Sequence, residues 1–332
     1  MTMRISVVIA LYNKAAYVLT AVQSALQQSL PTHEVIVVDD GSTDGGAETL
    51  AGIDDPRLRI VRQDNGGVSA ARNAGIALAS GDWVAFLDAD DWQHPDLLRG
   101  FAQAHQSCPE AGLLGAPFRF VERDARPEDL AWPTSPAKFD VETVPDLRRR
   151  WMQSAPFASS SVAIRLELLR EMQPCFEVGE SYGEDLDLWF RVAERTPVAL
   201  VCAELAAYRT LGDGLSASNR TVAEPPYLQR MRQRVLSGEI PPEQRESALW
   251  FIGQQQLTLA RHAVSSAQRM DALGLLVRAR SVWTSRRWQM TLLMTLLFPA
   301  RLVNDWQHAR LRRGAKKRVA FVQAMKSKRG WV

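Results

Sequence analysis

Cysteine is scarce. Cys108, Cys175 and Cys202 are odd in number and lack the paired spacing of a zinc site. This excludes a disulfide-stapled scaffold and points to free thiols in a reducing compartment. Long apolar runs are also missing. The opening MTMRISVVIALYN fits neither a signal peptide nor a membrane span. The most apolar stretch, Trp288–Phe298, has about a dozen residues, where a helical span needs about twenty. No G-x-G-x-x-G follows the first apolar run, since residues 10–15 read ALYNKA, and no P-loop pattern occurs. A dinucleotide fold and a P-loop enzyme are therefore disfavoured. No internal repeat or low-complexity block appears.

What is present has an uneven charge. Of 40 Lys and Arg and 37 Asp and Glu, fourteen bases and one acid, Asp305, fall between Arg278 and Val332. That segment carries +13 and leaves −10 on the body before it. An acidic body with a basic end is a statement about partners.

The body alternates strands and helices. Ile5–Ala10, Glu34–Val38, Leu58–Val61 and Val84–Leu87 are short apolar runs, expected as buried parallel strands. Helical spacing covers Tyr17–Leu26 and Ser69–Ala79. The pattern predicts an α/β doubly wound, mostly parallel sheet, which binds ligands at the carboxyl ends of its strands. Acids gather at those ends: Asp39 and Asp40 after the second strand, Asp88, Asp90 and Asp91 after the fourth. Such a cluster needs a cation, hydrogen bonds or solvent to offset its repulsion, and oxygen donors at this density suit Mg²⁺ or Mn²⁺. A polar turn whose acids cap the helix starting near His94-Pro95 is the plainer explanation. Further on, 122–145 holds four prolines and reads as a long loop. Ser159–Ile164, Val198–Val201 and Leu205–Arg209 read as strands, and the chain from about Glu224 as helices.

SVVIALYNKAAYV, EVIVVDDGSTDG, QDNGGVSAARNAGIALASGDWVAFLDADD and GEDLDLWFRV, in this order and spacing, resemble family 2 glycosyltransferases of the GT-A fold. The resemblance covers about the first two-thirds of the chain. It implies inverting transfer of a sugar from a nucleotide-sugar donor, expected to be a UDP-sugar, with Mn²⁺ or Mg²⁺ as cofactor. By the same resemblance, Ala10, Tyr12, Asn13 and Asp40 hold base and ribose, with Asp39 orienting the loop. Asp88-Ala89-Asp90 is the D-x-D pair, with Asp90 the direct metal ligand, Asp88 turned towards the ribose and Asp91 in support. Arg72 adds charge to the diphosphate, against the plainer reading of a surface salt bridge; Gly67 and Asn73 are read as serving helix-start geometry and close approach. In the late motif, Asp185 is the expected general base and Glu184 its neighbour or an acceptor contact, although acids at a helix start are favoured by the helix dipole alone. Family members often carry a histidine after the Tyr-Arg at 208–209; here TLGDGLSAS has none, leaving Arg209 and Ser216 as weaker candidates.

The expected organisation is a GT-A domain over 1–215, a helical extension over 216–283 and a basic amphipathic tail over 284–332. In the tail, Trp288–Phe298 is followed by Leu302, Val303, Trp306 and Ala309, opposed by Arg310, Arg312 and Arg313. Apolar faces, Trp283, Trp288 and Trp306, and many cations suit an anionic membrane surface better than nucleic acid. A helical subdomain packed on the core is the other reading. The expected setting is the cytoplasmic face of a membrane, with a saccharide or lipid-linked acceptor. A nucleotidyltransferase-like nucleotide-sugar enzyme and a non-catalytic membrane scaffold are the alternatives.

Overall fold

Apolar runs at Ile5, Val35 and Val84 place the first strands where expected. The computed structural model describes residues 3–132, 134–180, 182–211 and 223–299. The described residues form two compact units: one takes 3–211 with 237–247, the other 223–236 with 248–299.

The first unit is built on an eight-stranded sheet ordered β3-β2-β1-β4-β9-β6-β10-β8. Its first half comprises β1 (Ile5–Leu11), β2 (Glu34–Asp39), β3 (Leu58–Arg62) and β4 (Trp83–Asp88), all parallel. β9 (Val162–Arg165) runs antiparallel to both β4 and β6 (Leu113–Gly115). β10 (Val198–Val201) is parallel to β6, and β8 (Val141–Val144) closes the edge antiparallel to it. β8 lies inside the proline-bearing stretch expected as loop, so that segment supplies a sheet edge. A second sheet joins β5 (Trp92–Gln93), β11 (Ala206–Arg209) and β7 (Phe118–Val121).

Strand periodicity assigns the helices to faces. Ile5, Val7, Ile9 and Leu11 share a core with Val18, Ala21 and Val22 of α1 (Val18–Leu26) and with Phe101 of α3 (Leu97–Ser107). The alternate residues Val8 and Phe86 are register partners and face the other way. On that side α2 (Val68–Leu78) lies very close to β1, because a Cβ on Gly75 would sit 2.3 Å from Val8 Cγ1. Phe86 meets Trp189 of α6 (Glu184–Ala193) with ring centroids 5.7 Å apart. Two short helices, α4 (Leu147–Gln153) and α5 (Leu166–Glu171), complete the unit's helices before α6.

The second unit is helical, with α7 (Pro226–Ser237), most of α8 (Pro242–Ser265), α9 (Arg269–Arg278) and α10 (Arg286–Leu297). Its core gathers Leu257, Ala260, Leu275, Leu276, Ala279 and Val282. No helix among the described residues is long and apolar enough to cross a membrane. Ser216 and the tail residues Leu302, Val303, Trp306, Ala309, Arg310, Arg312 and Arg313 lie outside the described residues.

Candidate active site

The chain leaves β1 through α1 to β2 on one side, while β4 pairs with β1 on the other. The strand order therefore reverses between β1 and β4, and the crevice of such a sheet opens at the carboxyl ends there. Ala10 is the register partner of Asp88, which fixes how the two strand ends meet. Beyond them, the Lys14 ammonium pairs with Asp90 Oδ2 at 2.7 Å. Tyr12 is half exposed beside Asn13, whose φ of +50° turns the chain back. The Asn13 side-chain oxygen accepts from Thr43 N at 2.9 Å, tying the β1 loop to the β2 loop.

Asp40 is almost fully buried. Its carboxylate accepts from Gln63 Nε2 and from the backbone N–H groups of Gly66 and Gly67, at 2.7–2.9 Å. It thus holds the turn that opens α2, where Gly67 has φ +86°. Asp39 anchors its own loop by accepting from Ser42 N.

α2 begins at the strands' carboxyl ends, about two turns before the tight Gly75 contact, and this carries Arg72 into the crevice. Arg72 is buried, with its guanidinium over the Phe176 ring at 5.3 Å. It donates to Asp88 Oδ1 at 2.8 Å and to Glu184 Oε1 at 3.0 Å. One cation thereby joins the D-x-D segment to the start of α6. Asn73 has a different task from the helix-start role expected. Its amide exchanges two hydrogen bonds with the Phe176 backbone, and Ser69 donates to Glu180 O. These contacts pin the segment leading into α6. The helix is then held down by its aromatic face, with Trp189 against Phe86, Phe157 and Phe176.

Glu184 is buried and Asp185, beside it, is partly so. Burial, reinforced by Asp185 and opposed by Arg72, pushes the Glu184 carboxyl up to about 7. Burial also raises Asp185 above the usual aspartate range, against the pull of Arg72 and the hydrogen bond from Leu186 N. A pair with raised proton affinity near Asp88 is suited to taking up a proton.

Asp91 is turned inward. It accepts from the Ser160 hydroxyl and from Arg209 N, and burial with Asp88 and Asp90 nearby raises it well above its ordinary value. Ser160 also accepts from Asp88 N, so one serine sets the course of the whole acidic turn. Ala89 is buried within it. Arg209 clamps the turn from the other side. It donates to Asp90 O, and to backbone carbonyls of Glu122, Arg123 and Ala125, while stacking on Tyr17 and Trp92. His94 is buried, accepts from Asp96 N and starts the turn before α3.

Lys14 and Ser160 escaped the sequence reading. Their partners are 76 and 72 positions away, and only the strand order reveals the pairing. A Mg²⁺ or Mn²⁺ ion typically takes one or two protein carboxylates with substrate phosphates. Asp88 and Asp90 fit that donor set, and the Lys14 ammonium shows that Asp90 Oδ2 faces a position where a cation is stable. Among the described residues no three acidic, His or Cys side chains form a metal cluster. Further ligands would have to come from the substrate.

The family model described as "Glycosyl transferase family 2" matches residues 6–165. The succinoglycan biosynthesis protein ExoO of Rhizobium meliloti (strain 1021) is 48% identical over 272 residues, covering 80% of this chain and 71% of that protein. The putative glycosyltransferase EpsH of Bacillus subtilis (strain 168) is 40% identical over 98 residues, 29% of this chain and 28% of its own. Among solved structures, TarS 1-349 of S. aureus is similar in fold, with a TM-score of 0.63 at 18% identity, covering 92% of each chain. The same protein has been solved in complex with UDP-GlcNAc, with a TM-score of 0.57 at 18% identity over 84% of this chain and 90% of that one. The mixed α/β architecture with a large, mostly parallel sheet is the one expected.

Proposed function

This chain belongs to glycosyltransferase family 2, and on that premise we propose how its residues divide the work of glycosyl transfer. The donor is a nucleotide-diphosphate sugar, and the product forms with inversion at the anomeric carbon. The observation that carries this reading is the run of contacts Asp88–Arg72–Glu184, with Asp185 alongside, at the switch point of the sheet. It joins a donor side, at the ends of β1 and β4, to an acceptor side at the start of α6.

On the donor side, Ala10, Tyr12 and Asn13 border the space for the nucleoside, with Asp40 shaping its wall through Gly66 and Gly67. Asp88 and Asp90 would hold Mn²⁺ or Mg²⁺, which when bound supplies Lewis-acid stabilisation of the departing diphosphate. Lys14 adds a positive charge there, and Arg72 holds Asp88 in place. On the acceptor side, Asp185 takes the proton of the attacking hydroxyl as the new glycosidic bond forms and the bond to the diphosphate breaks. Glu184 stays fixed by Arg72, and Asp185 beside it raises the proton affinity of Glu184.

Uridine as the base is suggested by the UDP-GlcNAc complex of TarS, and a saccharide acceptor by the succinoglycan biosynthesis named for ExoO; a lipid-linked form of that acceptor is part of the same proposal. We place the reaction at the cytoplasmic face of a membrane, in line with three free cysteines and the cationic C-terminal sequence. Family membership favours this reading over nucleotidyl transfer and over a non-catalytic scaffold. The test is release of nucleoside diphosphate from a panel of nucleotide-sugars, by the parent and by Asp185→Asn.

A further inference from the structure

The last described helix buries hydroxyls and leaves much of its apolar surface outside, although Trp288, Leu292 and Met294 pack inward. An ordinary surface helix buries its apolar stripe and shows its polar one to water. In α10 the buried stripe is Thr291, Met294 and Thr295. Thr291 accepts from Arg261 Nε at 2.8 Å and donates to Arg287 O, and Thr295 donates to Thr291 O. The hydroxyls are thereby satisfied inside the helical unit. Met290, Leu293, Leu296, Leu297 and Phe298 are left outside, with Leu297 69% exposed.

α9, packed against α10, carries further exposed apolar residues. Trp288 Nε1 donates to Leu276 O and the Arg269 guanidinium donates to Phe298 O, so α9 and α10 run antiparallel as a hairpin. Met270 and Val277, two turns apart on α9, are 78% and 68% exposed, and Trp283 in the connection is 61% exposed. Arg269, Arg280 and Arg286 are exposed on the same hairpin. Between residues 266 and 299 the sequence holds five arginines and one acid, Asp271.

We propose that the outward face of the α9–α10 hairpin docks on an anionic lipid bilayer, its leucines, methionines and Phe298 entering the acyl boundary and its arginines meeting the headgroups. The inference rests on the membrane placement proposed above and assigns it to a defined surface. Charge decides the occupant. A two-fold pairing with a second copy would set one arginine-rich face against another, which costs free energy. A polyanion without apolar groups would leave the leucines in water. An anionic bilayer satisfies both, and shallow insertion with Trp and Arg at the interface is how such helices bind.

The full chain is mixed with vesicles of phosphatidylcholine, or of equimolar phosphatidylcholine and phosphatidylglycerol, and bound protein is measured by co-sedimentation. The parent is expected to prefer the anionic vesicles. Leu293→Gln with Leu297→Gln, at exposed positions, is expected to weaken binding to them by at least about tenfold. Arg280→Gln with Arg286→Gln is expected to cost about fivefold per cation on anionic vesicles and little on neutral ones. If the leucine pair fails to fold, the arginine pair decides alone. A parent that ignores both vesicles overturns the membrane placement itself. A parent that binds while both variants bind equally well overturns only this surface. A dimeric parent made monomeric by the leucine pair assigns the face to a second copy and refutes lipid docking. Release of nucleoside diphosphate in solution is measured alongside. Its absence with vesicle binding intact counts against the catalytic reading and not against the surface.

Discussion

Replacing Arg72 with Met removes the one cation between Asp88 and Glu184 while keeping most of the side chain's volume over Phe176. The Glu184 side chain is 9% exposed, so its charge would lose its partner without gaining much water. Breaking a buried pair from one side costs about 3–5 kcal/mol. Asp88, with 27% side-chain exposure, is compensated by solvent and contributes less. The loss has a definite pH dependence. Glu184 already sits up to about 7, above the ordinary glutamate value, so the folded state binds its proton more tightly than the unfolded chain. Its contribution therefore falls as pH rises from the unfolded value through the folded one. Without Arg72, which pulls it down, the folded value climbs further and that window widens upward. Urea unfolding at pH 5.5 and pH 8 is the assay. Arg72→Met should lose more stability at pH 8 than at pH 5.5. Adding Glu184→Gln should recover about 1–3 kcal/mol at the higher pH, the size of a direct coupling. An equal loss at both pH values, or no recovery, would refute the bridge as the source of the cost.

Two further outcomes follow from close contacts. Lys14→Met should change stability by less than about 1 kcal/mol, because the pair with Asp90 is part-exposed. It should tighten Mn²⁺ binding in a paramagnetic resonance titration by about tenfold, since the ammonium that competes for Asp90 Oδ2 is removed; weaker binding would contradict the placement of Asp90. Gly75→Ala puts a methyl group against Val8 and should cost about 1–3 kcal/mol in urea unfolding, and unchanged stability would show that α2 can shift without consequence.

The parallel half of the sheet is readable because its strands are short apolar runs, two of them ending in acids, and α6 because Leu186, Trp189, Phe190 and Ala193 recur at helical spacing. Other elements depend on distant partners. β5 is only Trp92–Gln93 and exists through pairing with Ala206 and Ala207, more than a hundred positions later. Ser159–Ser161 reads as strand but forms a 3-10 turn, since Ser160 is recruited by Asp91 and Ser161 bonds back to Ala158. Val141–Val144 was hidden among prolines and becomes a strand by pairing with β10. At the site, residue types were legible and alliances were not. Arg72 was expected on a diphosphate and is held by Asp88 and Glu184; Asp40 was expected on a nucleoside and grips a glycine turn. Thr291 and Thr295 of α10 recur at helical spacing in the sequence, but their inward direction depends on Arg261, thirty positions before Thr291.

The central claim is that Asp185 accepts the proton of the attacking hydroxyl. The most direct test compares nucleoside diphosphate release by the parent and Asp185→Asn, with donor affinity measured separately by calorimetry. Turnover should fall by at least about a hundredfold while donor affinity stays within about twofold of the parent. A donor affinity that falls in step with turnover would place Asp185 on the donor side and contradict the assignment.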